Sequence, residues 1–140
     1  MQRDGVRLYS HSAKFGTVRL YDACGRDEER LSRYMAGAIG EYGQVTCRNL
    51  TMYAIGGTAT TMASVALALE KYDPAIVDGT VITLERAQEM AHRLLNMSVE
   101  EVKQVRGMEP RRADLIGGGC LLMCSILTLL GRTSVTVSES

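Results

Sequence analysis

The stretch AIGGTATTM, Ala54 to Met62, sets two glycines and three threonines between a short apolar run and a segment of helical character. Upstream, Leu50 to Ile55 is brief and apolar with β-branched and aromatic members, which marks a buried strand. Downstream, Thr58 to Tyr72 reads as a helix of small and apolar residues, stopped by Asp73-Pro74. A strand that ends in Gly-Gly-Thr and runs straight into a helix presents unpaired backbone N–H groups at the positive end of the helix dipole. That geometry holds a phosphate oxygen or another anion. Glycine is needed because a Cβ would block both the turn and the close approach of a ligand. Thr58 and Thr60 or Thr61 can add hydroxyl donors, and one of them can serve as N-cap. The spacing is neither GxxxxGK[ST] nor GxGxxG, so the pattern by itself fits a threonine-capped turn as well as a phosphate cradle.

The rest of the chain supplies an α/β context. Val6 to Ala13 has the alternating character of a strand, preceded by Asp4-Gly5 as a hairpin turn. Asp27 to Tyr42 places Leu31, Tyr34, Met35, Ala38 and Ile39 on one helical face, with acidic residues at its start. Thr83 can cap a helix in which Leu84, Ala87, Met90, Ala91, Leu94 and Leu95 share a face. Ser98 with Glu101 forms a capping box, Met97 with Val102 fits a hydrophobic staple, and a short helix starts at Val99 and ends at Gly107. Pro110 suits a helix start, and Arg111 to Leu130 reads as a long buried helix closed by Gly131. Thr133 to Val137 is a final strand. Strands with helices between them imply an α/β layer architecture with a partly parallel sheet.

At 140 residues the chain suits one domain. Sixteen basic residues balance sixteen acidic ones, so no overall field draws it to nucleic acid or an anionic membrane. Any anion site is local. Cys24, Cys47, Cys120 and Cys124 lack the paired spacing of a zinc site, and only His11 and His92 could add ligands. Buried, reduced thiols and a cytoplasmic setting are expected. Leu115 to Gly131 carries no charge and is near the shortest length of a membrane helix, about 17–25 residues. Its Gly117-Gly118-Gly119 triplet favours a helix packed closely inside a domain. No Cys–His or Ser–His–Asp set is indicated, and His92 reads as a surface residue near Glu89.

Several segments together resemble one family. AIGGTATTMASV, YDPAIVDGTVITLERAQEM, MSVEEVKQVRGMEPRRADLIGGG and TSVTVS are similar, in order and spacing, to the exopolyphosphatase and guanosine pentaphosphate phosphohydrolase (Ppx/GppA) family. SHSAKFGTVRLYD looks like that family's Gly-x-Val-Arg-Leu segment, with Arg19 at its arginine. The resemblance implies an incomplete ribonuclease-H-like domain of the actin-like ATPase and sugar kinase superfamily, a mixed sheet with packed helices. It also implies release of terminal phosphate from inorganic polyphosphate or guanosine pentaphosphate, with magnesium. Carried over, Gly56, Gly57 and Thr58 match the Gly-Gly-Thr loop at the cleft, with Thr60 beside it. Arg112 and Asp114 match an Arg-Ala-Asp at the start of the long helix, and Gly119 matches its glycine position.

On that resemblance residues 1–140 form a single partial domain, most of the second domain of such an enzyme. The first domain, the glutamate that activates water and two phosphate loops have no counterpart in the chain, and no catalytic or metal-ligating residue is assigned. The expectation is a fragment or truncated member with little or no activity alone, whose partners are the first domain and the phosphate ligand. Uncovered apolar surface would favour a homo-oligomer. The rival readings are a kinase-type member of the superfamily and a non-catalytic binding module on the same scaffold.

Overall fold

A computed structural model describes residues 2–3, 6–7, 25–39 and 52–139. In chain order its elements are β1 (Gln2–Arg3), β2 (Val6–Arg7), α1 (Glu28–Ile39), β3 (Tyr53–Ala54), α2 (Gly57–Ala66) and α3 (Pro74–Val77). There follow β4 (Val81–Thr83), α4 (Leu84–Leu95), α5 (Val99–Lys103), a 3₁₀ turn (Pro110–Arg112), α6 (Ile116–Leu129) and β5 (Ser134–Val137). Arg3 lies opposite Val6 in an antiparallel pair, the register of a two-residue hairpin loop. The strand expected through Ala13, the helix beyond Ile39 to Tyr42, and Leu50 and Thr51 lie outside the described residues, as do Arg19, His11, Cys24 and Cys47.

β5 is the middle of three strands, parallel to β3 and antiparallel to β4. The sheet is therefore mixed, as the order of elements implied. Register sets Tyr53, Thr136 and Val81 in one row and pairs Ile82 with Val135. Because side chains alternate across a strand, these rows face opposite sides. Ile82, Val135 and Val137 are buried and join Met62 of α2, Leu94 of α4 and Leu127 of α6 in one core. Tyr53, Val81 and, just past β3, Ile55 are exposed.

Local chemistry explains where the helices start and stop. Thr83 caps α4, accepting from Arg86 N at 3.1 Å, and Ala87, Met90, Ala91 and Leu94 turn inward. Ser98 and Glu101 complete both halves of the capping box. These hydrogen bonds from the Ser98 backbone and hydroxyl hold the Glu101 carboxyl below its ordinary range. α1 buries Leu31 but leaves Tyr34 partly exposed, while the side chains of Met35, Ala38 and Ile39 lie outside the described set.

Three boundaries differ from the sequence expectation. The helix read to Tyr72 stops at Ala66. Ala68 N bonds to Val65 O at 3.0 Å and Leu69 N to Ser64 O at 3.1 Å, with Ala68 in the left-handed region at φ 51°. That is a Schellman closure built without glycine, which is why the sequence hides it. The long helix from Arg111 is two pieces: Arg112 and Ala113 N–H groups reach back three residues to Glu109 and Pro110, the 3₁₀ pattern, and α-helical bonding begins only with Gly119 N to Leu115 O. α5 ends at Lys103, before Gly107. Gly107, at φ 90°, instead lets the following loop press against the Ser64 carbonyl, where a Cβ would collide.

α6 packs closely on α4. A Cβ on Gly117 would stand 2.6 Å from Leu95 Cδ2, so the small residues do serve close packing. No helix among the described residues is long and apolar enough to cross a membrane. Cys120 and Cys124 are buried free thiols. Burial raises the pKa of both, that of Cys124 to about 11. His92 is exposed as expected, but its partner is Glu28 of α1, 3.2 Å from Nδ1.

Candidate phosphate-binding site

Ser138 N bonds to Ala54 O at 2.9 Å, so β3 and β5 end side by side and their following loops emerge together at one edge of the sheet. This is the place where open α/β sheets bind ligands. Gly56 there adopts φ 99°, a conformation that side chains rarely allow, and is the N-cap of α2. No side chain caps the helix. The first helical bond is Thr60 N to Gly56 O at 3.1 Å, which leaves the Gly57, Thr58 and Ala59 amides at the positive end of the dipole. The expected threonine N-cap is thus replaced by glycine. The turn is made two residues too early for any threonine, and Thr60 Oγ1 instead donates back to Gly56 O at 3.1 Å and Gly57 O at 3.3 Å.

Arg112, at the end of the 3₁₀ turn, meets this loop. A Cβ built on Gly57 would coincide with its guanidinium, so the glycine is what admits the arginine. No carboxylate among the described residues pairs with that guanidinium. The structure thereby brings Gly56, Gly57, Thr60 and Arg112 together across more than fifty residues of chain. Thr58 is half-buried and opens the helix without lining the hollow beside it. Asp114 is also half-buried, beyond the 3₁₀ turn and outside that lining, and Gly119 is buried within α6.

The hollow measures about 300 Å³ and runs along the polar face of α2, past Gly57, Thr60, Thr61 and Ser64. Its opposite wall comes from Gly107 to Arg112 and its rim from Leu69, Glu70 and Tyr72. Glu109 faces Arg111 Nε at 3.4 Å, and Glu70 faces Arg106 at 3.7 Å. Tyr72 donates to Glu139 Oε2 at 2.8 Å, and partial burial followed by that carboxylate raises its phenol pKa. Ser64, Tyr72, Glu109 and Arg111 were not read from the sequence as site residues. The signal was present for Ser64, since Gly57, Thr60, Thr61 and Ser64 recur at i, i+3, i+4 and i+7 in a helix whose other residues, Thr58 apart, are apolar.

The resemblance implies magnesium, and no residue of this site is assigned to hold it. Among the described residues no three His, Cys, Asp or Glu side chains converge as a metal-ligand group. The carboxylates nearest the hollow are engaged: Glu109 with Arg111, Glu70 with Arg106, and Glu139 with Tyr72.

The fold that carries this glycine-opened helix N-terminus is the ribonuclease-H-like fold of the actin-like ATPases. The sequence profile described as "Ppx/GppA phosphatase family" matches residues 6–140, and the chain belongs to that family, matching the C-terminal part of its second domain. Exopolyphosphatase 2 of Mycobacterium tuberculosis is 27% identical over 143 aligned residues, covering 93% of this chain and 45% of that protein. The bifunctional 3-dehydroquinate synthase/phosphatase of Fusobacterium nucleatum is 29% identical over 93 residues, covering 66% of this chain and 14% of that protein. The Ppx/GppA phosphatase of Aquifex aeolicus superposes with a TM-score of 0.79 at 25% identity, over 89% of this chain and 43% of its own. The chain thus spans less than half the length of these relatives.

Proposed function

We propose that the chain forms one wall of a phosphohydrolase cleft and binds the terminal phosphates of inorganic polyphosphate or guanosine pentaphosphate. The observation that carries this is the Arg112 guanidinium resting over Gly57, beside three amides at the start of α2. The three amides are held by the helix before a ligand arrives, which suits electrostatic stabilisation of a phosphoryl group. Hydrolysis also needs a positioned water and donors on the other face of the phosphate. The described site supplies neither, so the remaining parts, with any magnesium, belong to the family's first domain. On this reading the chain alone binds phosphate but turns over little or none. Two buried free thiols accord with a reducing, cytoplasmic setting.

Calorimetric titration with polyphosphate and guanosine pentaphosphate tests the assignment. Binding that Gly57→Val abolishes with the fold intact supports it. Binding indifferent to that substitution, or magnesium-dependent phosphate release by the purified chain at a normal enzyme rate, contradicts it.

A further inference from the structure

We propose that Glu139, held in place by Tyr72, is a charge filter at the rim of the anion site, weakening the binding of an anion the more charge that anion carries. This rests on the phosphate-loop reading and adds to it the residue that limits affinity. Ser138 N bonds to Ala54 O at 2.9 Å, so Glu139 leaves β5 at the sheet edge where Gly56 turns the chain into α2. Its amide donates to Asp78 Oδ1 at 2.9 Å, which pins the main chain. Its side chain accepts from the Tyr72 hydroxyl at 2.8 Å, which pins the carboxylate. Glu139 is exposed, yet it is held at both ends.

Tyr72 connects that charge to the site, because it lines the hollow together with Gly57, Thr60 and Arg112. Partial burial and then Glu139 raise its phenol pKa, whereas the neighbouring Thr60 hydroxyl lowers it. Thr60 in turn bonds to the Gly56 and Gly57 carbonyls. Short steps therefore lead from the carboxylate to the loop and set the two on the order of 10 Å apart, about one Debye length at 0.1 M salt. Glu70 and Glu109 line the hollow too, but they face Arg106 and Arg111, which offset their charge. Glu139 bonds to a neutral phenol, and no cation among the described residues forms an ion pair with it. Its repulsion grows with the charge of the anion. Tethering decides how much of that repulsion is felt. An arriving anion would push a free, exposed glutamate into solvent, whereas one held by Tyr72 stays and repels. Affinity thus rises less steeply with ligand charge than Arg112 and the α2 amides alone would dictate.

The test is calorimetry on the 140-residue chain at low salt with inorganic tripolyphosphate and with orthophosphate, the latter read by its displacement of the former. Glu139→Gln keeps an oxygen that accepts from Tyr72 and removes only the charge. It should tighten tripolyphosphate about three- to tenfold and orthophosphate less than about twofold. Tyr72→Phe frees the carboxylate and should tighten tripolyphosphate about two- to threefold, and the double variant should bind as Glu139→Gln does. Tyr72 is partly exposed and loses one hydrogen bond, so the variant folds, and a thermal melt verifies it. Tripolyphosphate affinity unmoved or lowered by either substitution, or a gain shared equally by orthophosphate, overturns the charge filter and leaves the anion site standing. Binding of neither anion, or tripolyphosphate binding indifferent to Arg112→Ala, overturns both.

Discussion

Alanine at position 57 separates the loop's structural work from its binding work. A Cβ there falls on the Arg112 guanidinium, with Nε only 2.6 Å away. The obstructing atoms are the far end of a flexible side chain, so Arg112 can swing aside at small cost. α2 in turn gains from replacing a glycine in its first turn, at most about 1 kcal/mol. Stability should therefore hold or rise slightly. Anion affinity should fall, because the displaced guanidinium takes with it a charge-assisted hydrogen bond of about 1.5–3 kcal/mol, roughly ten- to a hundredfold in Kd. Calorimetry with inorganic tripolyphosphate at low salt, paired with a thermal melt, measures both quantities. Arg112→Ala should fall to the same affinity and the double variant no further, since both remove one interaction. Affinity within twofold of the unsubstituted chain, or losses that add, would mean that Arg112 does not hold the anion across Gly57.

Other substitutions probe the frame around the site. Gly107→Ala should destabilise by more than about 2 kcal/mol in urea unfolding: the positive φ costs about 1–2 kcal/mol, and the new Cβ meets the unyielding Ser64 backbone, 2.7 Å from its carbonyl carbon. A milder loss would mean that the loop relaxes. Ala68→Gly should stabilise by about 0.5–1 kcal/mol in the same assay, since glycine fits φ 51° and the Schellman closure stays; destabilisation contradicts it. The Glu101 carboxyl titrates below its ordinary value, so the folded chain binds that proton less readily than the unfolded one. The capping box thus adds its stability in full above about pH 4.3 and loses it as the pH falls through the lowered value. An NMR titration of that carboxyl checks the sign, and an ordinary or raised value sinks it.

Much of the fold was legible because short-range signals coincide. Thr83, Ser98 with Glu101, and Gly131 each fix a helix end through bonds within a few residues, and all three act as read. The apolar stripe of α4 and the glycine at position 117 likewise state their packing. The misread boundaries are those set by geometry that residue identity does not announce. Ala68 takes a conformation usually left to glycine, and Pro110 opens a 3₁₀ turn where a helix was expected. For the site, the glycine loop was visible as a local pattern, and family resemblance pointed to Arg112. What could not be read is that Arg112 reaches Gly57 and Gly107 reaches Ser64, since both contacts depend on how α2 and the segment after α5 come together. The hollow exists only because of that meeting.

On the proposed function the start of α2, under Arg112, is an anion site. Amide chemical shifts recorded while inorganic tripolyphosphate is titrated into the chain test it residue by residue. The largest saturable shifts should fall at the Gly57, Thr58 and Ala59 amides and the Arg112 side chain, and the amide shifts should be lost in Arg112→Ala. Saturable binding that leaves those amides unmoved and shifts others would contradict it.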